Sequence, residues 1–147
     1  MNTPNEPCIK VCNSLLRGEL SAIETYGQAI RKHTDSPAAE RLREIRSEHI
    51  TAAKLLADNV REMGGEPETD SGGWGVFAKA VQGAANLFGP GSAIESLQKG
   101  EESGRGDYES ALGNDEVMTE CKAMISDKLL PAVRSHISHL DGLEKVA

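Results

Sequence analysis

Apolar residues recur every three to four positions along most of this chain, and that period predicts helices. The first stripe is Cys12, Leu15, Leu16, Ala22, Ile23, Tyr26 and Ile30, giving a helix over about 8–33 behind a flexible tail at residues 1–7. Asp35-Ser36-Pro37 breaks the pattern; Ser36 suits an N-cap and Pro37 the first helical position. The second stripe is Leu42, Ile45, Ala52, Leu56, Val60 and Met63, stopped by Gly64-Gly65. A Gly- and acid-rich loop over 64–75 follows, long enough to cross one end of a bundle. The third helix is expected in two pieces, 75–88 and about 92–112, interrupted at Gly89-Pro90-Gly91. The fourth is expected after Asn114, with Asp115 and Glu116 at its positive end and a stripe of Met118, Cys121, Ile125, Leu129, Ala132, Ile137, Leu140 and Leu143. Pro131 lies inside it and should kink it. No segment alternates with period two. The expected fold is all-α, one antiparallel four-helix bundle over residues 8–147, with a long crossover between two helical hairpins.

The two hairpins look like copies of each other. Gly18-Glu19, Ser21, Tyr26, Ala29 and Ile30 recur as Gly100-Glu101, Ser103, Tyr108, Ala111 and Leu112, at a constant offset of 82 positions. His49-Ile50-Thr51 and Leu56 recur as His136-Ile137-Ser138 and Leu143, offset by 87. Helical spacing puts Glu19, His49, Glu101 and His136 on the inward stripes. Burying two carboxylates costs several kcal/mol each unless cations or donors compensate. A divalent metal is one compensation, and carboxylate plus imidazole ligands suit iron, manganese or zinc. Hydrogen bonding without an ion is the other; Arg46, one turn before His49, is then the expected partner of Glu19, with Tyr26 and Tyr108 as core residues carrying bonded hydroxyls.

Composition narrows the rest. With 3% aromatic residues, Ala, Leu, Ile, Val and Met must fill the core, which favours helix-on-helix packing. A net charge of -7 with scattered Lys and Arg argues against nucleic acid and a membrane surface as partners. A homo-oligomer stays open. Without an apolar run of spanning length or a signal-like N-terminus, the expected location is the cytoplasm. Three cysteines without framework spacing fit a reducing compartment. Cys8 and Cys12, one turn apart, could hold a soft metal but lack a third ligand nearby in sequence, so they are read as packing residues, and Cys121 as core. His139 is read as a surface residue, His33 as a solvated helix end, and Trp74 as a plug or the wall of a small-molecule pocket.

In these Gly-Glu…Tyr and His-bearing helices, and in Gly64-Gly65-Glu66-Pro67, the chain resembles the ferritin-like superfamily. Within it, the chain is similar to a bacterial family of small bundles known only as a domain of unknown function. The resemblance implies a bundle-core carboxylate metal centre with an oxygen- or peroxide-linked role. Glu19 and Glu101 match the single glutamates of the di-iron members; His49 and His136 match their histidines. Arg46 and Val133 stand where the bridging carboxylates belong, and Glu48, toward the helix flank, is a partial substitute. The rival expectation is a non-catalytic structural or stress-related interaction bundle that has lost its metal centre.

Overall fold

The computed structural model describes residues 5–32, 34, 37–70 and 90–146. All regular structure among them is helical: α1 (Glu6–Lys32), α2 (Ala38–Glu62), α3 (Pro90–Leu112), and a fourth rod of α4 (Thr119–Met124), a π-helical turn (Ile125–Leu129) and α5 (Leu130–Val146). The expectations for Trp74, His33, the Ser36 cap and a helix over 75–88 lie outside the described residues. No described helix is long and apolar enough to cross a membrane.

Contacts fix the helix directions. Asn5 Nδ2 donates to the Met63 carbonyl, Asn59 Nδ2 to Cys12 Sγ, and Arg46 Nε to the Ile23 carbonyl, so α1 and α2 run antiparallel. Tyr108 meets Glu19 and Tyr26 meets Glu101, so α3 also opposes α1. The end of α2 thus sits beside the start of α1, whereas Ala93, Ile94 and Leu97 at the start of α3 pack with Tyr26 and Ala29 toward the end of α1. Between α2 and α3 the chain changes ends of the bundle. Its first steps run along α1: Asn13 Nδ2 donates to the Glu66 carbonyl, Asn13 Oδ1 accepts from the Glu68 N–H, and Arg17 pairs with Glu68.

The Gly64-Gly65 stop forms a Schellman motif. Gly64 adopts φ +89°, its N–H reaches the Arg61 carbonyl, and the Gly65 N–H reaches that of Val60. Three boundaries differ from expectation. Helix α1 begins at Glu6, inside the segment read as tail, because Pro7 in a first turn gives up no hydrogen bond. The same reason lets α3 begin at Pro90, inside the expected interruption. The fourth rod begins at Thr119 rather than after Asn114. Asn114 instead closes a turn: its Oδ1 accepts from the Glu116 N–H and its carbonyl from the Val117 N–H, letting Val117 enter the core. Pro131 acts through the π-helical turn that ends two residues before it; the wider turn accommodates a ring that would crowd the Asp127 carbonyl and a bond that Pro131 cannot donate.

The apolar core is in two parts. One gathers Leu16, Leu56, Tyr108 and Ile125; the other gathers Tyr26, Ile45, Leu97 and Leu140. On every one of the four rods an inward titratable residue falls between them: Glu19, His49, Glu101 and His136 form a layer between two apolar plugs.

Candidate metal centre in the polar layer

All four residues of the layer are at most 5% exposed. His49 stands at the centre. Its Nδ1–H donates to Glu19 Oε2 at 2.5 Å and its Nε2–H to Glu101 Oε2 at 2.6 Å. Both acceptors are carboxylates, so both nitrogens donate and the ring is an imidazolium. Burial opposes that charge, but Glu19 and Glu101 outweigh it and lift the His49 pKa from 6.5 to about 10. Glu101 answers in kind: burial pushes its carboxyl up, yet His49 and the bond from His136 hold it down at about 2.

The repeat-related tyrosines exchange partners between halves. Tyr26 donates to Glu101 Oε2 and Tyr108 to Glu19 Oε1, each at 2.5 Å. Burial and the neighbouring carboxylate raise both hydroxyls well above 10, so they remain donors. The histidines are less symmetric. His136 faces Glu101 Oε1 through Nδ1 at 3.2 Å and Glu48 Oε1 through Nε2 at 3.0 Å. Glu48 makes this contact from the rim, with its side chain 56% exposed. Its repeat counterpart, offset by 87, is Ser135, too short for the same reach toward His49.

His49, Glu101 and His136 each offer a ligand atom within 4.8 Å of the others. Glu19 lies across the His49 ring from that group, on Nδ1, and acts on the imidazole. Arg46 is not the partner of Glu19. Its Nε donates to the Ile23 carbonyl at 2.9 Å, and the missing side chain of Gly27 leaves room for its guanidinium. Glu19 is already bonded by His49 and Tyr108, leaving Arg46 at the helix flank. Val133 is buried and apolar where a bridging carboxylate would stand. His139 is exposed, as expected for a surface residue.

A cleft of about 50 Å³ reaches the layer between α1 and α3, space for a few water molecules. Glu19, Tyr26, His49, Glu101 and Tyr108 line it, together with Gly18, Gly100 and Gly104.

The fold also assembles a cluster that the sequence did not reveal. Cys8, Cys12 and Cys121 are buried with their sulfurs within 4.8 Å of one another. Cys121 was readable as core, but 109 positions separate it from Cys12 and only the fold supplies the third sulfur. The Cys121 thiol is drawn down to about 7 by the hydrogen bond from Cys12, against the effect of burial.

No curated protein and no solved structure matches the chain. A family model does match, over residues 8–114, which takes in α1, α2 and α3 with Glu19, Tyr26, His49, Glu101 and Tyr108, and leaves out the rod carrying Cys121 and His136. On that match the chain belongs to the family described as the domain of unknown function DUF2383.

Proposed function

We propose that this is a ferritin-like bundle whose polar layer binds one transition-metal ion, iron first and manganese or zinc as the other candidates, in a role linked to dioxygen or peroxide. The observation that carries this reading is the convergence of His49, Glu101 and His136 beside a cleft open to small molecules. Two imidazoles and one carboxylate with open positions make the donor set of mononuclear non-haem iron(II) centres. Iron or manganese there would supply a binding and redox partner for dioxygen or peroxide, whereas zinc would not. Glu19 would hold His49 by Nδ1 and direct Nε2 at the ion, as outer carboxylates do for ligating imidazoles. Tyr26 would steady Glu101. Before it can ligate, His49 must lose its Nε2 proton; Glu48, against His136 at the rim, offers a path for that proton to solvent. The ferritin-like part rests on the helix directions and on the change of ends between α2 and α3. Arg46 and Val133, in place of bridging carboxylates, favour one ion over a two-metal centre.

Metal analysis of untagged protein tests this directly. About one iron, manganese or zinc per chain is expected, lost on Glu101→Gln. An ion-free protein that takes up none of the three would sink it. Ferrous-oxidase and peroxide turnover by the loaded protein then test the role; inactivity in both removes it.

A second reading is favoured by one observation: the layer's hydrogen bonds already close on themselves without an ion. In that reading the bundle is a structural or interaction module. Unchanged melting behaviour in the presence of all three metals is its expected signature.

A further inference from the structure

Cys8 and Cys12 lie one turn apart on α1, and Cys121 lies on α4. Cys8 and Cys12 are 0% exposed and Cys121 1%. Burial alone is ordinary for free cysteine. Three further features are not. All three sulfurs share one small volume, with Cys12 Sγ and Cys121 Sγ at 3.0 Å. Two of the sulfurs accept N–H hydrogen bonds, Cys12 from Asn59 Nδ2 at 3.3 Å and Cys8 from the Met118 backbone at 3.4 Å. Such donors favour sulfur as thiolate; against them, burial pushes the Cys8 thiol up, and the bond with Cys121 together with burial pushes up that of Cys12, so a bound ion has to displace those protons. Finally, the cluster sits at the end of the bundle under the Asn114–Val117 turn. Met118, the residue that follows this turn, is 36% exposed while its N–H touches Cys8, which puts the cluster one residue layer from solvent.

We propose that Cys8, Cys12 and Cys121 form a second, all-sulfur site for one thiophilic d¹⁰ ion, monovalent copper or zinc. Thiolate ligands select these ions over iron(II) or manganese. No carboxylate or imidazole joins the sulfurs among the described residues, so a three-coordinate ion fits without further ligands, and zinc needs a water as its fourth. Metal–sulfur bonds of about 2.3 Å hold sulfurs further apart than 3.0 Å, so Cys12 and Cys121 separate by a rotation about their side-chain torsions. Each sulfur that binds releases its proton to solvent. Asn59 serves as a positioning residue, orienting Cys12 as outer-shell donors do. This site is separate from the polar layer: Leu15, Leu16, Leu56, Ile125 and Leu129 pack with the cysteines in one apolar cluster.

The experiment uses full-length, untagged protein, reduced, metal-stripped and kept anaerobic. It is titrated with cadmium, as a spectroscopic stand-in for zinc, and separately with monovalent copper held by a competing chelator. Thiolate-to-metal charge-transfer absorption saturating at one ion per chain is expected. The chain's three cysteines are all in this cluster, so that band reports on no other site. Saturation by copper only identifies the three-coordinate ion; saturation by cadmium identifies the zinc-like one. Cys121→Ser should abolish the band, and Asn59→Ala should weaken binding about tenfold. Wild-type protein that shows no band with either ion, or that only forms a Cys12–Cys121 disulfide and takes up no metal after re-reduction, would overturn the proposal without recourse to any variant.

Discussion

His49 shows how much can depend on one side chain. It separates two buried carboxylates and bonds both. Removing one member of a buried ionic network leaves the others uncompensated, at a cost of about 3–5 kcal/mol. His49→Ala is therefore expected to lose stability of that order in chemical denaturation. The same network sets a pH profile. The His49 pKa is raised from 6.5 to about 10, so its contribution is complete below 6.5 and disappears as pH rises through about 10. The Glu101 pKa is lowered from 4.5 to about 2, so its contribution is complete above 4.5 and disappears as pH falls through about 2. Stability measured against pH should be greatest between 4.5 and 6.5 and decline on both sides. A wild-type curve that stays flat from 6.5 to 10 would show that His49 is not the charged centre of the layer. The four layer residues were legible in the sequence because inward phase and repeat offset both marked them. Their individual roles were not, since which nitrogen meets which oxygen is set by helix rotation and rotamer. The misassigned Arg46 illustrates this: spacing placed it a turn from His49, but a long side chain can reach the Ile23 carbonyl instead.

At the scale of elements, the stripes located the helices and the breakers located their ends unevenly. Gly64-Gly65 worked as a stop because the left-handed φ of Gly64 is a local property that sequence encodes directly. Proline was harder to read: Pro7 and Pro90 look like breakers, yet both sit at helix starts, and Pro131 is absorbed by a π-helical turn. Two glycines separate these effects experimentally. Gly64→Ala forces a side chain into the left-handed region and should cost about 1–2 kcal/mol. Gly104, inside α3, would place a new Cβ in open space. Gly104→Ala should instead gain about 0.5–1 kcal/mol from helix propensity. Thermal melts of the two variants should move in opposite directions. If both fall, then a side chain at Gly104 does not meet open space.

At the scale of the molecule, the fourth rod is what turns three helices into a bundle with two candidate sites. It contributes His136 to the polar layer and Cys121 to the sulfur cluster, and the family match stops before it. Neither convergence is visible along the chain, because each depends on residues about 35 to 109 positions apart meeting in space. The rod and the turn that leads into it place Val117, Cys121, Ile125, Leu129, Leu130, Val133 and Leu140 in the two core clusters. Fully burying one large apolar side chain stabilises by about 1.5–3 kcal/mol, and a whole domain retains only about 5–15 kcal/mol. Losing seven such contacts therefore removes as much as the entire margin, before counting Glu101 deprived of His136. A chain ending at Asn114, matching the family's limits, is expected to keep some helicity in far-UV circular dichroism but to show no cooperative melt. A sharp thermal transition in that fragment would mean that α1, α2 and α3 close a core by themselves. The rod would then be an addition to a complete fold, and any site needing His136 or Cys121 would be a later elaboration on it.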